Sequence, residues 1–166
     1  RLVGWLTRHR AELAPVVEPD LAAGLVRVPL VYADWSASSK ELGSPAERED
    51  VAAWTERLFA RIRGAGAVAA VGGYDEARPV YGSATYRHRG NDRDEWRTVH
   101  LGLDIFMPAG TKVFAPLDGI VHSFADNDAP FDYGPCIVLE HRVADDQGEL
   151  CFRTLYGHLS RESLVG

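Results

Sequence analysis

The sequence predicts an α+β protein, in which an antiparallel β core over roughly residues 80–166 follows a helical and mixed segment over residues 1–72. Two observations lead to this prediction. The first part of the chain carries apolar side chains at helical spacing. From Val80 onward, short runs of β-branched and aromatic residues alternate with Gly, Pro, Asp and Asn, which is typical of antiparallel β structure.

The first segment predicts two helices and two strands. Apolar residues at helical spacing predict a helix over residues 2–13. The β-branched run over residues 24–35 predicts a strand that Pro29 either confines to a sheet edge or divides into two pieces. Ser44 and Glu47 form a capping-box pattern, which predicts a helix over residues 45–63 that begins at Ser44 and ends before Gly64 and Gly66. A short buried strand is predicted over residues 67–71.

The second segment predicts six strands, over residues 84–88, 103–107, 111–115, 119–124, 135–143 and 150–157. The run KVFAPLDGIVHSF indicates two strands around a tight turn. A hairpin folded about Asp145–Gly148 would place Cys151 opposite about residue 142 and Cys136 opposite about residue 157. The two thiols would not face each other, so we expect no disulfide, and reduced thiols favour a cytoplasmic location.

Composition and charge exclude several classes of partner. Of the 166 residues, 46% are apolar and 25% are charged, as in an ordinary globular domain. The net charge of −6 argues against a nucleic-acid surface, and no apolar run approaches the roughly 20 residues of a membrane span. We therefore expect neither nucleic acid nor membrane as a partner. The chain begins at Arg1 inside an apparent helix, and we expect it to be a piece of a longer polypeptide.

A pair of ligand-type side chains lies in the run WRTVHLGLDIF. His100 and Asp104 are four residues apart, and a straight strand would separate them by roughly 13 Å. Gly102 and Pro108 disfavour a helix, so the remaining way to join the pair is a turn at Gly102 that leads into a strand over residues 103–107. A His nitrogen and a carboxylate oxygen, each about 2 Å from one ion, form half of a tetrahedral zinc site.

The other candidate residues are weighed by their position. His158 lies beside a glycine at a predicted strand end, where backbones bend and sites are built, whereas His122 and His141 lie inside strands and are predicted to be structural. The loop ADNDAPFDYG resembles a calcium cluster or a solvated acidic loop, and its spacing fits no EF-hand, so we favour the solvated loop. The sequence contains no nucleophile elbow, CxxC or phosphate loop.

Four motifs, HLGLD, PAGTKVFAPLDGIVHSF, YGPCIVLEH and LYGHLS, resemble the lysostaphin/LytM-type zinc peptidase domain over roughly Tyr81–Ser160. The resemblance implies that His100 and Asp104 bind zinc, and that His158 lines the active site and helps to polarise the attacking water or the substrate carbonyl. That family closes its site with a later His-x-His pair, which this sequence does not contain. We therefore expect hydrolysis of peptide bonds only if residues outside this chain complete the site, and weak or no zinc binding by this chain alone.

The runs VPLVYADWSASSKELGSP and EWRTVHLGLDIF resemble a peptidase-like module of large bacterial fusion proteins, which lies between a kinase-like and a pyridoxal-phosphate aminotransferase-like domain. This implies flanking domains as partners, a cytoplasmic location, and a peptide or small amino compound as substrate. Residues 1–72 would then be flanking structure, and residues 80–166 the peptidase-like β domain.

Two alternatives stay open. One is a non-catalytic module of the same fold that binds or positions neighbouring domains. The other is a lipoyl- or biotinyl-carrier-like domain, because AP-x-DG-x-V is shared with those folds. A carrier presents a modifiable lysine at a hairpin tip, and the two lysines here are Lys40 and Lys112, the second of which lies just before that motif.

Overall fold

The computed structural model describes residues 1–18, 29–44, 47, 50–79, 87–89, 94–96, 98–129 and 132–165, with only the backbone described for 87–89 and 94–96. The chain forms two compact units, one from residues 1–22 and 110–166 and the other from residues 23–109. Within the described residues, no helix is both long enough and apolar enough to cross a membrane.

The described elements are α1 (Leu2–Arg8), β1 (Leu30–Ala33), α2 (Val51–Gly64), β2 (Ala69–Gly72), β3 (Glu76–Ala77), β4 (Arg87–Arg89), β5 (Asp94–Trp96), β6 (Val99–His100), β7 (Ile105–Phe106), β8 (Ile120–Asn127), β9 (Gly134–Asp145), β10 (Gly148–Tyr156) and a 3₁₀ turn (Arg161–Leu164). Helices occur together with sheets whose strand pairs are mostly antiparallel. The predicted α+β fold class is confirmed.

In the unit of residues 23–109, a three-stranded sheet has the order β1-β2-β7. β1 runs parallel to β2, and β7 runs antiparallel to β2 with Ala70 opposite Phe106. One face of α2 closes a small core through Leu58 and Ile62, which pack with Val31. This sheet matters for function because β7 follows directly after Asp104. The two-stranded β3-β6 sheet places Glu76 opposite His100.

Helix α2 begins later than the capping-box pattern predicts. Its N-cap is Asp50, whose side chain accepts a hydrogen bond from the Ala53 backbone N–H at 2.9 Å. Ser44 and Glu47 do form the reciprocal bonds of a capping box, with the Ser44 N–H donating to Glu47 Oε2 at 2.7 Å. That box lies before α2 and does not cap it, because Asp50, which has non-helical dihedrals, separates the box from the first helical residue, Val51.

The end of α2 confirms the predicted stop. Gly66 has a φ of +60°, which favours glycine, and its N–H donates to the Arg63 carbonyl at 3.0 Å. The Ala67 N–H donates to the Ile62 carbonyl at 3.0 Å. These two bonds make a Schellman motif, which satisfies the last carbonyls of the helix and turns the chain toward β2.

In the unit of residues 1–22 and 110–166, an antiparallel sheet has the order β10-β9-β8. Cys151 lies opposite Arg142, as the predicted hairpin requires, and Tyr156 lies opposite Ile137, so the predicted register is confirmed. Both cysteines are free thiols, which confirms the prediction of no disulfide. β8 carries a register irregularity between Val121 and Ser123.

Two predicted elements of this unit are shorter than expected. The helix predicted over residues 2–13 is formed over Leu2–Arg8. A turn follows, in which the Glu12 N–H donates to the His9 carbonyl at 2.8 Å, and beyond it the Ala14 N–H donates to the Pro116 carbonyl at 2.9 Å. The strand predicted over residues 111–115 is reduced to an isolated bridge between Val113 and Val17. The tight two-strand turn predicted in KVFAPLDGIVHSF is therefore not formed.

The remaining predicted strands differ in length. β7 spans two residues rather than the five predicted over residues 103–107. β1 lies inside the predicted range 24–35, of which residues 24–28 fall outside the described part of the chain. The prediction over residues 84–88 also falls partly outside it, and the strand described there is Arg87–Arg89.

Candidate metal centre

The turn at Gly102 brings the two ligand-type side chains together. His100 ends β6 and Asp104 immediately precedes β7, and Nε2 of His100 lies 3.6 Å from Oδ1 of Asp104. A Cβ on Gly102 would lie 2.8 Å from Nε2 of His100, so the ring folds back over the glycine. No side chain larger than hydrogen fits there without moving the ring. Gly102 therefore leaves the space that allows the His100 ring to lie beside the Asp104 carboxylate.

The separation of these two atoms fits a shared zinc ion. Two ligand atoms at about 2.0–2.2 Å from zinc in tetrahedral geometry lie about 3.4 Å apart. The observed 3.6 Å between His100 and Asp104 is close to that value. Among the residues that the structure describes, however, no group of three or more His, Cys, Asp or Glu side chains could hold a metal. The pair therefore fits two of the ligands of a zinc site.

The second oxygen of Asp104 is engaged by a buried arginine. Nη2 of Arg78 donates to Oδ2 of Asp104 at 2.5 Å, and Nε of Arg78 donates to Oε2 of Glu76 at 2.8 Å. Glu76 and Arg78 are both buried, at 7% and 6% exposure. Oε1 of Glu76 accepts the backbone N–H of Trp35 at 2.9 Å. A buried ion pair extends behind the metal-ligand candidates.

Sequence reasoning missed Glu76 and Arg78. The available signal was their spacing in YDEARP, since residues two apart in an extended chain point to the same side. Their partner Asp104 is 26 residues away from Arg78. No local pattern connects residues at that separation, and the pairing of β3 with β6 was not predicted.

Two consecutive glycines give Asp104 and Glu76 room. The Gly72 N–H donates to the Asp104 carbonyl at 2.9 Å, and a Cβ on Gly72 would lie 3.2 Å from Oδ2 of Asp104. A Cβ on Gly73 would lie 2.8 Å from the Tyr32 hydroxyl oxygen. The end of β2 therefore approaches Asp104 and Tyr32 so closely that a side chain at either glycine would require its neighbour to move.

The pKa of His100 is lowered in this environment. Burial lowers it most, the charge of Asp104 raises it, the charge of Arg78 lowers it, and Glu76 and the Gly73 backbone raise it by smaller amounts. The net effect favours the neutral imidazole, which is the form that binds metals. Nδ1 of His100 is buried and has no partner within hydrogen-bond geometry in the described part of the chain.

His158 belongs to the other unit and lies just after β10. Its φ is +55°, a left-handed conformation that is uncommon for a residue with a side chain. Its N–H donates to the Tyr133 carbonyl at 2.7 Å, and the next N–H, of Leu159, donates to the Pro135 carbonyl at 2.9 Å. These bonds hold an exposed imidazole at a strained backbone position, a feature that is concentrated at functional sites. Its catalytic role stays a prediction.

The two histidines predicted to be structural occupy different positions. His141 is fully buried, and its ring nitrogens lie 2.9 Å from the Asp118 carbonyl and 2.8 Å from the Thr154 hydroxyl oxygen. Both nitrogens are thus used within the fold, in agreement with a structural role. His122 is exposed, with Nδ1 at 3.1 Å from the Ser123 hydroxyl oxygen. Asp126, predicted to lie in the solvated acidic loop, instead lies in β8, and it accepts from Nε of Arg161 at 2.6 Å.

Residues 98–165 match the family model described as peptidase family M23. The matched segment contains His100, Asp104 and His158, and supports the resemblance to a LytM-type peptidase. Glu76 and Arg78 lie before it. No curated protein and no solved structure was found to match the chain.

Proposed function

We propose that this chain is part of a zinc metallopeptidase-like domain, in which His100 and Asp104 are two of the zinc ligands. The observation that carries the proposal is the 3.6 Å separation of Nε2 and Oδ1, made by a turn inside the M23-matching segment. When bound, zinc lowers the pKa of a coordinated water toward about 7 and polarises the scissile carbonyl of a peptide.

The residues of the chain have separate roles in this proposal. His100 supplies a neutral nitrogen, because burial lowers the pKa of its ring. Asp104 supplies one carboxylate oxygen and the negative charge that balances a cation. His158 is the candidate for hydrogen bonding to the attacking water or the substrate carbonyl, and its backbone is held by the Tyr133 carbonyl. The substrate class is a peptide or a small amino compound.

The ligand count limits what the chain does alone. Catalytic zinc sites have three protein ligands and an open position, and the described residues supply two. We propose that the third comes from residues outside this chain, in cis or from a neighbouring polypeptide. The isolated chain should then hold zinc weakly and hydrolyse no peptide, and a cytoplasmic location within a multidomain protein remains part of the same proposal.

Zinc titration against a competing chelator tests the proposal. The unsubstituted chain should bind zinc with a Kd weaker than micromolar, and His100→Ala and Asp104→Asn should abolish that binding. His122→Ala is the matched control, since its ring is exposed and neither metal binding nor catalysis is assigned to it. Zinc binding that is unchanged by His100→Ala would contradict the assignment of ligands. Submicromolar binding that is lost in His100→Ala would show instead that the site needs no outside ligand.

A non-catalytic module of the same fold is the second candidate. It is favoured by the ligand count, because the described residues supply two of the three protein ligands that a catalytic zinc site has. Such a module would bind a partner domain or a small amino compound without hydrolysis. Peptide hydrolysis, assayed with zinc present and the missing ligand supplied by an extended chain, discriminates the two, because only the peptidase would turn over.

A further inference from the structure

Asp104 presents its two carboxylate oxygens to two different neighbours. Oδ2 accepts from Nη2 of Arg78 at 2.5 Å, whereas Oδ1 faces Nε2 of His100 at 3.6 Å. A carboxylate that binds zinc through one oxygen needs a partner that holds the other, because otherwise the group rotates about its side-chain bonds. The structure provides that partner within the protein.

Arg78 is itself held on several sides. Its Nε donates to Oε2 of Glu76 at 2.8 Å, and its guanidinium carbon lies 4.9 Å from the centre of the Trp35 ring. Glu76 is fixed in turn, because its Oε1 accepts the Trp35 backbone N–H at 2.9 Å. The Arg78 side chain is 5% exposed. The guanidinium is planar and buried, and it donates to two carboxylates. These contacts fix the directions of its N–H groups closely.

The charges of this group suit a cation. Glu76 and Arg78 carry opposite charges, which cancel. The negative charge of Asp104 therefore remains to face a metal ion. Without Glu76, the positive charge of Arg78 would repel a cation bound at Oδ1. Glu76 thus allows an arginine to lie beside a candidate metal site.

We propose that Arg78 is a positioning residue that holds the Asp104 carboxylate so that Oδ1 alone is offered to a metal ion beside His100, and that Glu76 holds Arg78 and neutralises its charge. This inference rests on the proposed function for the identity of the metal. Outer partners of metal ligands are worth about 10–100-fold in metal affinity.

The test uses a charge-balanced pair of substitutions. Glu76→Gln combined with Arg78→Gln removes the contact to Asp104 without changing the net charge. Its matched control is Glu41→Gln combined with Arg61→Gln, which removes another ion pair of the same unit, joined at 2.5 Å. Two quantities are measured for each protein: the orientation of the Asp104 carboxylate in metal-free crystals, and the Kd for zinc.

In the Glu76/Arg78 variant, we expect the Asp104 carboxylate to lose its single orientation and the zinc affinity to fall about 10–100-fold. In the control, both should be unchanged. An Asp104 carboxylate that keeps its orientation in a folded Glu76/Arg78 variant would overturn the positioning role, whether or not zinc affinity changes. If near-UV circular dichroism shows that this variant does not fold, Arg78→Lys gives the same comparison, because an ammonium cannot reproduce the two-sided contact of the guanidinium.

The two readouts separate this inference from the proposed function. If the unsubstituted chain binds no zinc through His100, the proposed function fails, and the metal-free orientation of the Asp104 carboxylate alone judges Arg78. A carboxylate that loses its single orientation in the variant would still support the hold of Arg78 on Asp104, and one that keeps it would overturn that hold.

Discussion

The imidazole of His100 lies over Gly102, so close that a Cβ on this glycine would be 2.8 Å from Nε2. The same nitrogen is the one that faces Asp104. The glycine between the two ligand-type residues therefore has a steric role: it leaves the space that the ring occupies. Any side chain at position 102 must push the ring away from the Asp104 carboxylate or bend the turn.

Gly102→Ala should lower zinc affinity by at least about tenfold, because the added methyl displaces Nε2 from its place beside Asp104. Zinc titration measures the effect. Gly64→Ala is the control, since a Cβ there meets nothing within 4 Å. Equal zinc affinity in the two variants would show that the ring position over Gly102 does not matter for the metal.

Asp50→Ala should destabilise the protein by about 1 kcal/mol, because it removes the side-chain acceptor for the Ala53 N–H at the start of α2. Ser44→Ala should have a smaller effect, since Ser44 bonds with Glu47 at a separate turn. Denaturant unfolding of the two variants gives the comparison. A larger loss from Ser44→Ala would mean that the helix begins at the capping box after all.

Because of Asp145, the stability of the fold should change with pH in the acid range. The hydrogen bonds from Arg1 lower the pKa of Asp145 from 3.8 to about 2, with a further contribution from the Gln147 N–H. A carboxyl group whose pKa is lower in the folded state than in the unfolded state stabilises the fold at pH values above its unfolded-state pKa. This contribution is lost as the pH falls from about 3.8 to about 2.

Asp145→Asn should therefore flatten the fall of the unfolding midpoint across that pH window. Glu18→Gln, which removes an exposed carboxylate of the same unit, should leave the fall in place. Thermal melts from pH 6 to pH 2 measure both. Identical pH profiles for Asp145→Asn and the unsubstituted chain would argue against a native contact between Arg1 and Asp145.

His141→Ala should destabilise the fold by about 3 kcal/mol, because it opens a cavity and removes the buried partner of the Asp118 carbonyl and the Thr154 hydroxyl. His122→Ala should change stability by about 0.5 kcal/mol or less, as expected for an exposed side chain. Neither should change zinc affinity. Loss of zinc binding in a folded His141→Ala variant would give this residue a metal role that we do not assign to it.

The elements that the sequence predicted best are those defined by neighbouring residues. The β9–β10 hairpin has the expected register, with Cys151 opposite Arg142, because alternation along both strands and the turn after Asp145 act locally. The stop of α2 at Gly66 is local in the same way. The start of α2 could not be predicted from the sequence, because Ser44 and Asp50 are both good N-cap residues and no local pattern favours one over the other.

The candidate site was predictable only in part. The turn at Gly102 follows from steric arguments about His100 and Asp104, so this pair was found. The contact of Arg78 with Asp104 depends on the pairing of β3 with β6 and on the approach of Gly72, which are non-local. A single sequence contains no direct signal for such contacts.

X-ray absorption at the zinc edge, on the zinc-loaded chain, tests the shared site most directly. The account predicts nitrogen and oxygen neighbours at about 2.0–2.2 Å with an imidazole contribution, and predicts that this protein-bound zinc signal is absent from His100→Ala and present in His122→Ala. An imidazole contribution that is unchanged in His100→Ala would contradict the claim that His100 and Asp104 bind one zinc ion.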